Sequence, residues 1–125
     1  MNKEQALHQF WSGFGLKAYD EQTVPTGDDA PAFPYITYEV ITDSIGQPVL
    51  LTASLWYRSS AWTEITAKKD QIAEAIGYGH KTIKIDGGYM YLTRGTPFAQ
   101  RMSDDTDDMI RRIYLQINCE YLTAN

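Results

Sequence analysis

Between Arg112 and Tyr121 the chain alternates without a break: Ile113, Leu115, Ile117, Cys119 and Tyr121 against Arg112, Tyr114, Gln116, Asn118 and Glu120. A period of two marks a strand with one buried and one wetter face, so RRIYLQINCEYL is predicted as a core strand. YITYEVI after Pro34 and VLLTASLWYR, joined by the turn SIGQP, read as a hairpin. KTIKIDGGYMYLTR reads as a second hairpin, in which a Gly87–Gly88 turn sets Ile85 opposite Met90, Ile83 opposite Leu92 and Lys84 opposite Tyr91.

Two stretches carry the helical period instead. Asn2 and Gln5 have capping-box spacing ahead of Leu7, Phe10, Trp11 and Phe14, and Gly13 and Gly15 stop the run. Trp62, Ile65, Ile72, Ala73 and Ile76 mark one face of a second helix, with Ser59 or Ser60 as its cap and Gly77 and Gly79 at its close. Residues 20–34, DEQTVPTGDDAPAFP, hold three prolines and neither period, and are predicted to be one long loop. The order helix, hairpin, helix, hairpin, strand predicts a single α+β domain over residues 1–125. It has two layers, an antiparallel-rich β-sheet with helices packed on one face.

Composition narrows the function. With 125 residues and 43% apolar content the chain can bury a core without staples. Cys119 is the lone cysteine, which excludes an internal disulfide and a cysteine zinc cage and suits a reducing compartment. No apolar run approaches the ~20 residues of a membrane span, and the N-terminal stretch is too interrupted for a signal peptide, so a soluble intracellular product is expected. The net charge of −5 is concentrated. Eight of the 16 acids are Asp20, Glu21, Asp28 and Asp29 together with Asp104, Asp105, Asp107 and Asp108; the rest of the chain has 8 acids against 11 bases. No basic face for nucleic acid is evident, and the two acidic segments repel phosphate.

Catalytic motifs fail on inspection. WSGFG lacks the first glycine of a nucleophile elbow, since position 10 is Phe. GHKT has His between Gly and Lys and no upstream glycine for a phosphate loop. His8 and His80 form no metal-binding pair, and Cys119 falls on an apolar strand face. The run DDTDD departs from a calcium loop, with Met and Ile where a ligand and the glycine belong, so a solvated turn or an acidic surface is expected. Trp56, Tyr38 and Tyr114 are expected on the open sheet face, where aromatic side chains stack bases or meet other subunits. No catalytic residue, metal ligand or cofactor site emerges.

A likeness does emerge in the last third. GGYMYLTRGTPFAQRMSDDTDDMIRRIYLQINCEYLTA combines a GG hairpin, the segment Arg94–Gln100, an acidic D-D-x-D-D loop and an RRIYLQINCEY strand. It resembles the phage tail terminator family, also called tail-to-head joining or tail completion proteins and often labelled minor capsid proteins in prophages. The earlier order of elements is similar too, although the specific motifs lie within residues 84–124. The resemblance implies a structural protein of the virion, not an enzyme, which assembles in the bacterial host cytoplasm. A homohexameric ring would cap the tail tube protein at the tail-head junction and meet the head completion (connector) protein. DNA would pass through it without sequence-specific binding, and no cofactor or membrane is implied. On this reading Asp104, Asp105, Asp107 and Asp108 form an acidic surface or lumen past which DNA slides. Arg94, Phe98 and Arg101, with Asp28 and Asp29, are candidates for the subunit interface, the arginines pairing with acids of the neighbour's 20–29 loop. The alternative is a small α+β ligand-binding domain that uses the open sheet face or a pocket; a metal enzyme built on the aspartates is a third reading.

Overall fold

The computed structural model describes residues 1–44 and 46–123. Its elements are α1 (Lys3–Ser12), β1 (Lys17–Asp20), a short 3₁₀ turn (Gly27–Asp29), β2 (Tyr35–Tyr38), β3 (Val49–Arg58), α2 (Thr63–Ile76), β4 (Lys81–Ile85), β5 (Gly88–Met102) and β6 (Ile110–Thr123). One six-stranded sheet has the order β1-β2-β3-β6-β5-β4. Among the described residues only β1 and β2 run parallel; every other pair is antiparallel. The fold is α+β, with both helices on one face of the sheet.

Alternation in β6 builds the core. Ile113, Leu115, Ile117, Cys119 and Tyr121 are all buried. Flanking strands add Leu51, Ala53 and Leu55 on one side and Met90 and Leu92 on the other. Leu7, Phe10 and Trp11 of α1 and Ile65, Ile72 and Ile76 of α2 close the same core. Helix α2 packs on β3, β5 and β6, whereas α1 touches β1 and β4, the two outermost strands, so the sheet wraps around it.

The capping box at the start of α1 forms as its spacing predicts. The Gln5 N–H donates to Asn2 Oδ1 at 2.8 Å, and the Asn2 N–H donates to Gln5 Oε1 at 2.9 Å. The second helix differs. Its N-cap is Trp62, which makes no side-chain cap, while Ser59 Oγ accepts from the Ala61 N–H and shapes the loop ahead of the helix. The Gly77 closure holds, with its N–H donating to Ala73 O.

Two strand expectations are corrected. β1 lies ahead of the long loop and its four residues are too few to show a period; parallel pairing to β2, Lys17 with Tyr35 through Asp20 with Tyr38, makes it a strand. The segment YITYEVI is a strand only over Tyr35–Tyr38, though the Glu39 N–H still donates to Thr52 O. The SIGQP turn includes Ile45, which lies outside the described residues.

The second hairpin turns one position earlier than its glycine pair suggests. Ile85 pairs with Gly88, Lys84 with Tyr89 and Ile83 with Met90, so the turn residues are Asp86 and Gly87. Gly87 has φ 79°, the conformation that a tight hairpin turn needs. The register moves by two, an even number, so Ile85, Met90 and Leu92 remain on the core side. Gly88 serves a different purpose: a Cβ there would sit 1.9 Å from Leu122 O on β6. Gly88→Ala is therefore expected to cost about 1–3 kcal/mol by overpacking. Gly79→Ala, in open space, should be close to neutral. Urea denaturation of both variants checks the contrast.

Candidate interaction surface

The acidic run divides into two roles. Asp104 Oδ1 accepts from the Thr106 hydroxyl at 2.6 Å, the Thr106 N–H at 2.8 Å and the Asp107 N–H at 3.1 Å. These bonds hold its carboxyl below the ordinary aspartate value, the Thr106 hydroxyl contributing most. Asp107 Oδ1 accepts from the Met109 N–H, and its Oδ2 lies 3.3 Å from Arg58 Nε. Asp104 and Asp107 thus shape the turn into β6, while Asp105 and Asp108 are exposed on it. Among the described residues no group of His, Cys, Asp and Glu has the makings of a metal site.

The arginines at the same end of the sheet offset these charges. Arg111 donates from Nη1 to Asp108 O and from Nη2 to Ser60 O. Its guanidinium and that of Arg101 lie 5.3 and 4.6 Å from the Trp62 ring centroid. Such cation–π contacts hold a long side chain in place without removing its charge. With Arg58 paired to Asp107, the run sits in mixed charge and not in a uniformly negative patch.

The five proposed interface residues are scattered. Arg94 donates from Nε and Nη2 to Ala73 O at 3.1 and 2.7 Å and lies over the Tyr78 ring, so it caps the C-terminal end of α2. Its charge also complements the negative end of that helix. Phe98 is half-buried against the core. Arg101 is exposed above Trp62, and Asp28 and Asp29 are exposed in the 3₁₀ turn on the β1 side of the sheet. The fold does not bring the arginines of this set to its aspartates.

The sheet face away from the helices presents what residue spacing alone leaves incomplete. Trp56 and Tyr114 lie on it, but Tyr38 points into the core and is 4% exposed. Tyr35 takes the expected place: its ring stacks on Trp56 at 6.1 Å and 16°, and Phe33 and Tyr19 pack against it. Beyond Trp56 comes Arg112, whose guanidinium lies 4.7 Å from the Trp56 ring and 5.7 Å from the Tyr114 ring. Its Nε donates to Ser54 Oγ at 3.0 Å, and Ser54 is a buried polar residue. Cross-strand register would have found this ladder, because Tyr35 pairs with Trp56 and Trp56 with Arg112. At the other end of the same face Leu50, Tyr89 and Leu122 are exposed.

Other chemistry is muted. Burial pushes the Cys119 thiol up to about 11, which keeps it protonated and inert at neutral pH. His8 Nδ1 is 3.0 Å from the Tyr38 hydroxyl and its Nε2 is 3.3 Å from Ser12 Oγ, a link between α1 and β2. A cleft of about 400 Å³ between α1 and β4 is lined by Phe10, Phe14, Ile83, Gln9 and Lys81. No protein-family model, curated protein or solved structure matches this chain significantly.

Two outcomes follow from these contacts. Arg94→Ala should lower unfolding stability by about 1–2 kcal/mol through loss of a charged helix cap, measured by urea denaturation. Asp104 has a depressed folded-state value, so its stabilisation is present above the unfolded aspartate value and fades as pH falls through the folded one. Asp104→Ala should therefore melt below wild type at pH 7, and the gap should close on acidification below about pH 4.

Proposed function

We propose that this chain is a structural subunit of a phage or prophage tail-terminator ring, which caps the tail tube and joins it to the head connector. The observation that carries the reading is the uncovered sheet face. Six strands are packed by helices on one side only, and the other side bears aromatic and arginine side chains across β2, β3 and β6. Broad amphipathic faces of this kind suit association with other chains. The residues that resemble the tail-terminator family lie largely in β5, β6 and the acidic turn between them, the elements that border this face. The function is contact and not catalysis, and the DNA passes through the ring unread.

A second reading has one observation in its favour. The cleft between α1 and β4 is largely apolar, with Lys81 and Gln9 as polar groups, and it matches the form of a small-molecule site.

Light scattering and negative-stain microscopy of the full chain, alone and with tail tubes, test the choice. The expected outcome is six-fold rings, free or at one end of each tube, and tubes that stop lengthening once the chain is added. A monomer that leaves tube growth unchanged would reject the ring.

A further inference from the structure

Three arginines have committed guanidinium groups. Arg58 is paired with Asp107, Arg94 caps α2, and Arg111 is bonded to three carbonyls, while Arg101 is exposed over Trp62 with no hydrogen bond to orient it among the described residues. Arg112 is different. Ser54 holds its Nε, and Trp56 and Tyr114 hold its plane, yet its two Nη groups make no hydrogen bond or ion pair among the described residues. Glu21 and Asp104 feel its charge without pairing to it. The result is a half-buried arginine with fixed orientation and an uncommitted planar fork, which is the arrangement suited to accepting a carboxylate.

The chain also carries carboxylates with the opposite deficiency. Asp28 and Asp29 are exposed in the 3₁₀ turn and have no hydrogen-bonded or ionic partner through their side chains among the described residues. They belong to the loop between β1 and β2, at one edge of the sheet. Arg112 is on β6, three strands further in. At about 4.8 Å per strand this is a lateral offset of roughly 14 Å before the loop's own extent is added. A contact between two different patches of identical chains propagates head to tail and closes into a ring when its rotation allows.

We infer that the Arg112–Trp56–Tyr114 cluster receives the acidic Gly27–Asp29 turn of a second copy of this chain, whose Asp28 or Asp29 carboxylate accepts from the Nη groups of Arg112. The inference rests on the ring reading and names its contact. A nucleic acid would bring a run of phosphates to a chain of net charge −5, whereas the Gly27–Asp29 turn brings two carboxylates to one guanidinium; Glu21, which feels the Arg112 charge, opposes both. The contact is ionic at its centre, so it weakens with salt.

The test uses the full chain in sedimentation and light scattering over a concentration series at low and physiological salt. Asp28→Asn with Asp29→Asn changes only exposed side chains, so folding is preserved, and melting curves accompany every variant. That double variant and Arg112→Gln should each weaken self-association roughly tenfold or more. Exchanging the charges in one chain (Asp28→Arg, Asp29→Arg and Arg112→Glu) should restore it. An Ala30→Cys chain mixed with a Gln100→Cys chain should form a mixed disulfide that neither forms alone with wild type. Oligomers unaffected by all these changes would overturn the contact and leave the ring standing. A chain that stays monomeric and yields no mixed disulfide overturns the contact, and the ring reading falls with it when tubes are also left uncapped. Binding of a fluorescent single-stranded oligonucleotide that Arg112→Gln abolishes, without self-association, overturns it by giving the cluster to nucleic acid.

Discussion

Strand β6 has a hydrogen-bonded neighbour along most of both sides, and the other features of the molecule depend on that double ladder. It pairs with β3 from Val49–Cys119 to Arg58–Ile110 and with β5 from Gly88–Thr123 to Met102–Arg112. Strict alternation in β6 sends every second side chain to the helices and the rest outward. A slip of one residue would bury Arg112, Gln116 and Glu120 and expose Ile113, Leu115 and Ile117 together. Burial of those aliphatic residues therefore also fixes the position of Arg112, and the core and the proposed docking face share one register.

Tolerance is built into one partner only. Along β5 the chain advances from Arg94 to Ala99 while β6 moves from Ile117 to Leu115, and the surplus residues form a bulge whose Pro97 carbonyl accepts from Gln116 Nε2 at 2.9 Å. The bulge resets the aim of the strand, so Arg94 caps α2 on the core side and Arg101 reaches Trp62 at the start of that helix. Two arginines seven residues apart thus engage opposite ends of α2.

The sequence patterns that were legible are those with an internal check. Alternation in β6, the reciprocal Asn2–Gln5 cap and the apolar face of α2 each involve several residues that must agree, and they appear in the fold as read. β1 has four residues and depends on β2 to be a strand, so nothing local marks it. The Gly87–Gly88 pair misled because the two glycines answer different needs, one backbone conformation and one lack of space beside Leu122. For the surface, the resemblance made Arg94 an interface candidate; its partner within the chain, the Ala73 carbonyl, belongs to a helix end that no spacing rule links to it. Arg112 was visible only as a polar position, because its importance comes from its cross-strand neighbours Trp56 and Ser54.

The position of α1 has a consequence for how the molecule can grow. A sheet that is open at both margins offers unpaired backbone groups to any extended chain, the usual route to uncontrolled fibres. Here the helix lies against both β1 and β4, and Lys81 and Lys84 punctuate the β4 margin. Such margins resist strand addition, and an extended chain finds poor templates there. On the flat of the sheet, by contrast, any contact is selected by side chains and not by backbone.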